Sequence, residues 1–158
     1  MSRPEPIRGE PARLEDLYAT HRVPMVRLAY LMTGSNEVAE DVVQDAFARL
    51  HGAWDRTENP GAYLRVSVLN GCRSWHRRRL RERDRRHLVA VDDKVSSEAR
   101  ELLDALAGLS HPQRAAVVLR YYEDFSERDI ADALGCRPGT VKSHLHRGLA
   151  RLREVLEP

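Results

Sequence analysis

Along most of this chain, apolar residues recur every three or four positions, so the pattern predicts an all-α fold. A first helix begins near Ala12 with Leu14, Leu17 and Tyr18 on one face. Val26, Ala29, Tyr30 and Leu31 continue that face to Thr33-Gly34. Pro24 lies between the two groups and is expected to kink or interrupt the helix, because it has no N–H to donate. A second helix runs from about Asn36 to Ala53, with Val38, Val42, Ala46, Leu50 and Trp54 in one row and Val43 and Phe47 in a second row beside it. Asn59-Pro60-Gly61 marks a turn. A third helix follows from about Ala62 to Arg85, anchored by Tyr63, Val66, Leu69 and Trp75. Gly71 weakens its interior by up to ~1 kcal/mol relative to Ala. Beyond it, a helix from about Ser97 to Leu109 turns Leu102, Leu103, Leu106 and Leu109 inward. Ser110 and Gln113 have the spacing of a capping box and open a helix to Tyr122 that buries Ala115, Val118, Leu119 and Tyr122.

The last stretch, Ser126 to Leu156, reads as two helices around a tight turn. Ser126 is a good N-cap with Asp129 three residues on, and Ile130 and Leu134 share a face. Gly135 suits the end of that helix and Pro138 the start of the next. Val141, Leu145, Leu149 and Leu152 then form one buried stripe. The other faces carry Thr140, Lys142, Ser143, His144, His146, Arg147, Arg151 and Arg153, all of which can donate hydrogen bonds. A short helix, a Gly-containing turn and a donor-rich second helix make a helix-turn-helix, whose second helix fits a DNA major groove. An ordinary helical hairpin with a solvated basic face has the same outline, so the rest of the chain must decide.

At 158 residues the chain has room for one domain or two small ones. The pattern favours two lobes, residues 12–86 and 98–156, joined by a linker at 87–97 that lacks periodicity. Residues 1–11, with three Pro and a Gly, read as a disordered tail. The net charge of +2 hides an asymmetry: Arg73 to Arg86 holds eight Arg, and Asp92 to Asp104 holds five acids. A basic block of that density points to nucleic acid. Arg65, Arg73, Arg77, Arg78, Arg79, Arg81 and Arg83 are placed to line phosphates. Cys72 and Cys136 are far apart and form no C-x-x-C, which argues for a reduced, cytosolic protein without a disulfide framework. The first residues hold no apolar signal segment, and no stretch nears the ~18 apolar residues of a membrane span. Cys72 with His76, and His144 with His146, are too few and too poorly aligned for a metal site. No phosphate-binding Gly loop, nucleophile elbow or carboxylate dyad is present, so no enzyme and no cofactor are expected.

The string RPGTVKSHLHRGLARLR, preceded by LSHPQRAAVVLRYYEDFS, closely resembles the promoter −35 reading domain of extracytoplasmic-function sigma factors of the sigma-70 family. The strings RLAYLMTG, DVVQDAF, NPGAYLR and VLNGCRSW extend the resemblance to roughly residues 12–156 and look most like the actinobacterial SigE-family subset. The resemblance implies a factor that binds core RNA polymerase and promoter DNA in transcription initiation. It implies that Asp41, Gln44 and Asp45 contact the polymerase β′ clamp while Phe47 serves the core, and that the C-terminal lobe meets the β flap. By the same match, Asn70 captures an unpaired −10 base, with Arg65, Arg73, Arg77 and Arg78 on the same DNA. Lys142, Ser143, His146 and Arg147 match the −35 contacts, with Thr140 and Arg151 beside them. The linker of the family threads the RNA exit channel, and an anti-sigma factor is a further possible partner. Two other readings fit the helices alone: a helix-turn-helix regulator that binds closed duplex without polymerase, and a DNA-processing enzyme such as a recombinase. The second needs a catalytic cluster that has no place in this sequence.

Overall fold

The computed structural model describes residues 13–82 and 95–157. All regular structure in them is helical: α1 Leu14–Thr33, α2 Asn36–Ala53, a 3-10 turn Trp54–Arg56, α3 Pro60–Glu82, α4 Ser97–Ala107, α5 His111–Tyr121, α6 Glu127–Leu134 and α7 Pro138–Leu156. The expected tail at 1–11 and most of the expected linker lie outside the described residues. Helices α1, α2 and α3 pack together as one group, and α4, α5, α6 and α7 as another.

In the first group α1 runs unbroken through Pro24. The expected interruption is absent because Met25, Leu28, Ala29 and Met32 are buried immediately beyond the proline. Burying side chains of this size contributes about 1.5–3 kcal/mol each, comparable to the ~3 kcal/mol that an interior proline costs. Gly34 ends the helix in the left-handed region at φ 75°, with its N–H on the Tyr30 carbonyl. In α2, Ser35 caps Val38, and the apolar rows bury Val42, Val43, Ala46, Phe47 and Leu50. The Phe47 ring lies 4.9 Å from that of Tyr18.

Helix α3 starts earlier than its pattern predicts, because Asn59 accepts from the Ala62 N–H and Pro60 fits a first turn. It is also rotated from the expected face. Leu64, Val68, Leu69 and Cys72 are buried, while Tyr63, Val66 and Trp75 are only half-buried. The rotation follows from Gly71. A Cβ there would stand 2.8 Å from Val42 Cγ1, so the glycine lets α3 approach α2 closely.

In the second group Ser96 caps α4, and Leu103, Leu106 and Leu109 are buried. Leu102, expected inside, is 42% exposed. The capping box of Ser110 and Gln113 is complete, and α5 buries Ala115, Ala116, Val117, Val118 and Leu119. Tyr122 falls outside the core, and Arg114 takes a buried place within it. Ser126 caps the Asp129 N–H, and Gly135 closes α6 at φ 66°. On α7, Val141 and Leu145 are buried as expected, but the next buried position is Gly148, with Leu149 and Leu152 half-buried. A Cβ on Gly148 would meet Val117 Cγ2 at 3.0 Å, so this glycine brings α7 against α5.

Candidate nucleic-acid and partner surfaces

With Val141 and Leu145 held in the core, the residues between them are forced outward. Thr140, Lys142, Ser143, His146, Arg147 and Arg151 are all exposed, and His144 is half-buried. They form a donor-rich strip along the N-terminal two-thirds of α7, the part of a recognition helix that enters a groove. Ser143 Oγ donates back to the Gly139 carbonyl at 3.3 Å, and Lys142 Nζ lies 4.0 Å from a Glu127 carboxylate. Both partners of that pair are open to solvent, so it holds Lys142 weakly.

On α3, Asn70 is exposed, as are Arg73, Arg77 and Arg78. Arg79 lies over the Trp75 ring at 5.1 Å. Arg83, Arg85 and Arg86 are outside the described residues. Arg65 departs from its expected place on this open face. Its guanidinium sits 4.7 Å over the Phe125 ring and 3.6 Å from Glu123, with 22% of its side chain exposed. Its Nε is buried without a partner. In this arrangement Arg65 is not available to a phosphate. On α2, Asp41, Gln44 and Asp45 are exposed along one face and Phe47 is in the core. Beside them Tyr18, Arg22, Val26, Glu40, Val43, Gln44 and Phe47 line a recess of about 200 Å³.

Two sigma-70 domains match this chain, region 2 over residues 17–82 and region 4 over residues 99–152. The RNA polymerase sigma-E factor of Streptomyces avermitilis is 39% identical over 157 residues, spanning 94% of this chain and 88% of the relative. The ECF RNA polymerase sigma factor SigL of Mycobacterium tuberculosis is 33% identical, over 94% of this chain and 92% of the relative. This chain belongs to the extracytoplasmic-function sigma factors of the sigma-70 family. Its function is that of an RNA polymerase sigma factor in transcription initiation. Among solved structures, the sigma factor RpoE in complex with the anti-sigma factor NepR from Bartonella quintana is similar, at a TM-score of 0.76, 29% identity and coverage of 90% and 96% of the two chains. CnrH in complex with the cytosolic domain of CnrY has a TM-score of 0.70 at 25% identity, with coverage of 91% and 87%.

The two lobes of this sigma factor touch along a seam that the sequence did not reveal. Helix α1 of region 2 meets α4 and α5 of region 4, and α3 meets α5 and α6. Buried Arg114 donates from Nε to the Leu31 carbonyl at 2.7 Å, and His76 Nε2 lies 2.6 Å from the Met32 carbonyl. Both carbonyls belong to the last turn of α1, where backbone acceptors lack helical partners and the helix end is partially negative. Burial pulls the Arg114 guanidinium down to about 10. The Cys72 thiol, buried in the same region, is pushed up to about 12, which leaves it a neutral thiol at any ordinary pH. One signal for Arg114 was legible: an arginine inside the apolar run of PQRAAVVL, four residues before Val118 on the buried face. No helix among the described residues is long and apolar enough to cross a membrane, and no group of three or more metal-ligating side chains occurs among them.

Proposed function

We propose that this sigma factor works through two surfaces on DNA and one on polymerase. Residues 12–86 form the lobe that binds core and reads and helps melt the −10 element. Residues 98–156 form the lobe that reads the −35 element as duplex, with 87–97 the linker between. The observation that carries the reading is the α7 strip, where burial of Val141 and Leu145 turns Lys142, Ser143, His146 and Arg147 outward together. Arg147 suits a bidentate contact with guanine, and Lys142 a guanine or phosphate.

On region 2, exposed Asn70 both donates and accepts, which suits capture of an unpaired base, and Arg73, Arg77 and Arg78 suit the backbone around it. Asp41, Gln44 and Asp45 form an acidic face for a basic coiled coil of the β′ clamp, and region 4 meets the β flap. The solved relatives bound to an anti-sigma factor, or to a partner's cytosolic domain, support a protein regulator for this chain too. The factor performs no chemistry itself and acts in the cytoplasm, where polymerase and promoter are.

The test is transcription in vitro with purified core polymerase on a promoter library. Initiation from a defined set of −35 and −10 sequences is the expected result. On those promoters Asn70→Ala should reduce permanganate-reactive melting more than it reduces closed-complex formation. Duplex binding without core, and no initiation with it, would select the regulator reading.

A further inference from the structure

Among the described residues the polar part of the seam between the lobes, set beside a shared apolar core, is made chiefly of cations and imidazoles. From α3 it takes Cys72 and His76 and from α5 His111 and Arg114, while Arg73, Arg77 and Arg79, exposed on α3, act on them through their charge. From α1 it takes the carbonyls of Leu31 and Met32 as acceptors, beside an apolar core in which Met25, Leu28 and Met32 join one cluster with Leu106, Leu109 and Leu119. Among the described residues none of the charged side chains acting on the two histidines is a carboxylate. Among the described residues one ion pair spans the lobes, Arg65 with Glu123, and both its members act elsewhere on the seam.

The histidines face each other across the seam with ring centroids 5.7 Å apart. His76 Nε2 holds the Met32 carbonyl at 2.6 Å, which requires the proton on that nitrogen and leaves Nδ1 bare in the neutral ring. His111 Nδ1 is buried with no partner. A second proton on either ring would bury a further cation beside Arg114, with no acid among the described residues acting to compensate it.

We propose that this seam is a proton-operated latch: it closes with His76 and His111 neutral, and it parts as they take up protons. The electrostatics agree in sign. Burial first, then His76, Arg73, Arg114 and Arg77, hold His111 down to about 4. Burial lowers His76 as well, with Arg114 and Arg79 adding to it and the Met32 hydrogen bond opposing. Once the lobes part, both rings return toward the ordinary ~6.5. The closed form therefore binds fewer protons than the open one. Its advantage is complete above about 6.5 and is lost as pH falls from there toward 4. His111 alone shifts the closed-to-open ratio about tenfold at pH 5.5. Opening also releases Arg65 from Phe125 and Glu123. His21, on α1 beside Arg65, is lowered by burial and by that arginine, and among the described residues it is a further histidine of lowered pKa. This inference goes beyond promoter reading and stands whether or not the DNA contacts are as proposed.

The test measures lobe separation in the full chain by small-angle X-ray scattering at pH 7.5 and 5.5, with helicity followed by circular dichroism. Wild type should expand at pH 5.5 with its helices intact, and His76→Gln/His111→Gln should keep one radius of gyration at both values. A wild type that does not expand overturns the latch. So does a double variant that expands as far as wild type, which would move the response to His21. Histidine ring NMR of the unsubstituted chain gives a reading that needs no variant. At least one seam imidazole should titrate well below 6.5, and ordinary titration of all seven histidines overturns the proposal.

Discussion

Arg114 Nε donates to the carbonyl of Leu31 at 2.7 Å, joining two residues 83 apart in sequence and the two lobes in space. Among the described residues no carboxylate acts on the guanidinium, and the carbonyl it meets belongs to the partially negative end of a helix. Lowering to about 10 disfavours the charged form by about 3 kcal/mol relative to a solvated arginine. Leaving the Leu31 carbonyl without a donor costs about 1–3 kcal/mol. The first is equal to or larger than the second, so Arg114→Met, which keeps the packed stem, should leave stability unchanged or raise it by up to about 2 kcal/mol. In a chain of this length each kcal/mol moves Tm by about 2–4 °C in a thermal melt. A loss above about 3 kcal/mol would show that the helix end stabilises the guanidinium far more than its burial suggests.

Gly71→Ala should destabilise region 2. The helix gains up to ~1 kcal/mol from the better propensity of Ala. The new Cβ, however, lies 2.8 Å from Val42 Cγ1, and a β-branched neighbour has little rotamer freedom with which to move aside. Overpacking of this kind costs about 1–3 kcal/mol, so a net loss is expected in chemical denaturation. A stabilised variant would mean that α2 and α3 separate easily at this point.

Replacing Asp41 and Asp45 with Arg should weaken association with core polymerase while leaving helicity intact. Both side chains are exposed and neither has a partner holding the fold. Pull-down with purified core is the measurement, and unchanged capture would remove this face of α2 from the polymerase interface.

For region 4, Arg147→Ala should cost ~1–3 kcal/mol and relax preference at one −35 position, as loss of a bidentate base contact does. Lys142→Ala should weaken all sequences alike and lower the salt slope by ~1. The weak exposed pair with Glu127 is too small a competitor to mask that effect. A randomised −35 library transcribed with each variant separates the two. An unchanged selected sequence with Arg147→Ala would show that α7 docks differently.

The helices were legible in the sequence because their causes are local. Apolar spacing set α2 and α7, and short-range capping set their neighbours, through Ser110 with Gln113, Ser126 before α6 and Gly135 after it. The α7 strip was legible for the same reason, since residues flanking Val141 and Leu145 must point away from whatever buries those two. The acids of α2 stand outside its apolar rows by the same logic.

Only the tertiary structure decided what depended on residues far apart in the chain. Pro24 stays within α1 because the packing of Met25, Leu28 and Met32 outweighs the missing hydrogen bond. The face of α3 follows from a contact between Gly71 and Val42, which no periodicity in α3 encodes. Arg65 reads as one more cation in a basic helix until Phe125 and Glu123 are placed against it. Arg114, His76 and His111 acquire their properties from one another and from the end of α1. Burial and neighbouring charge set a titrating group's behaviour, and both are fixed only when the two lobes meet.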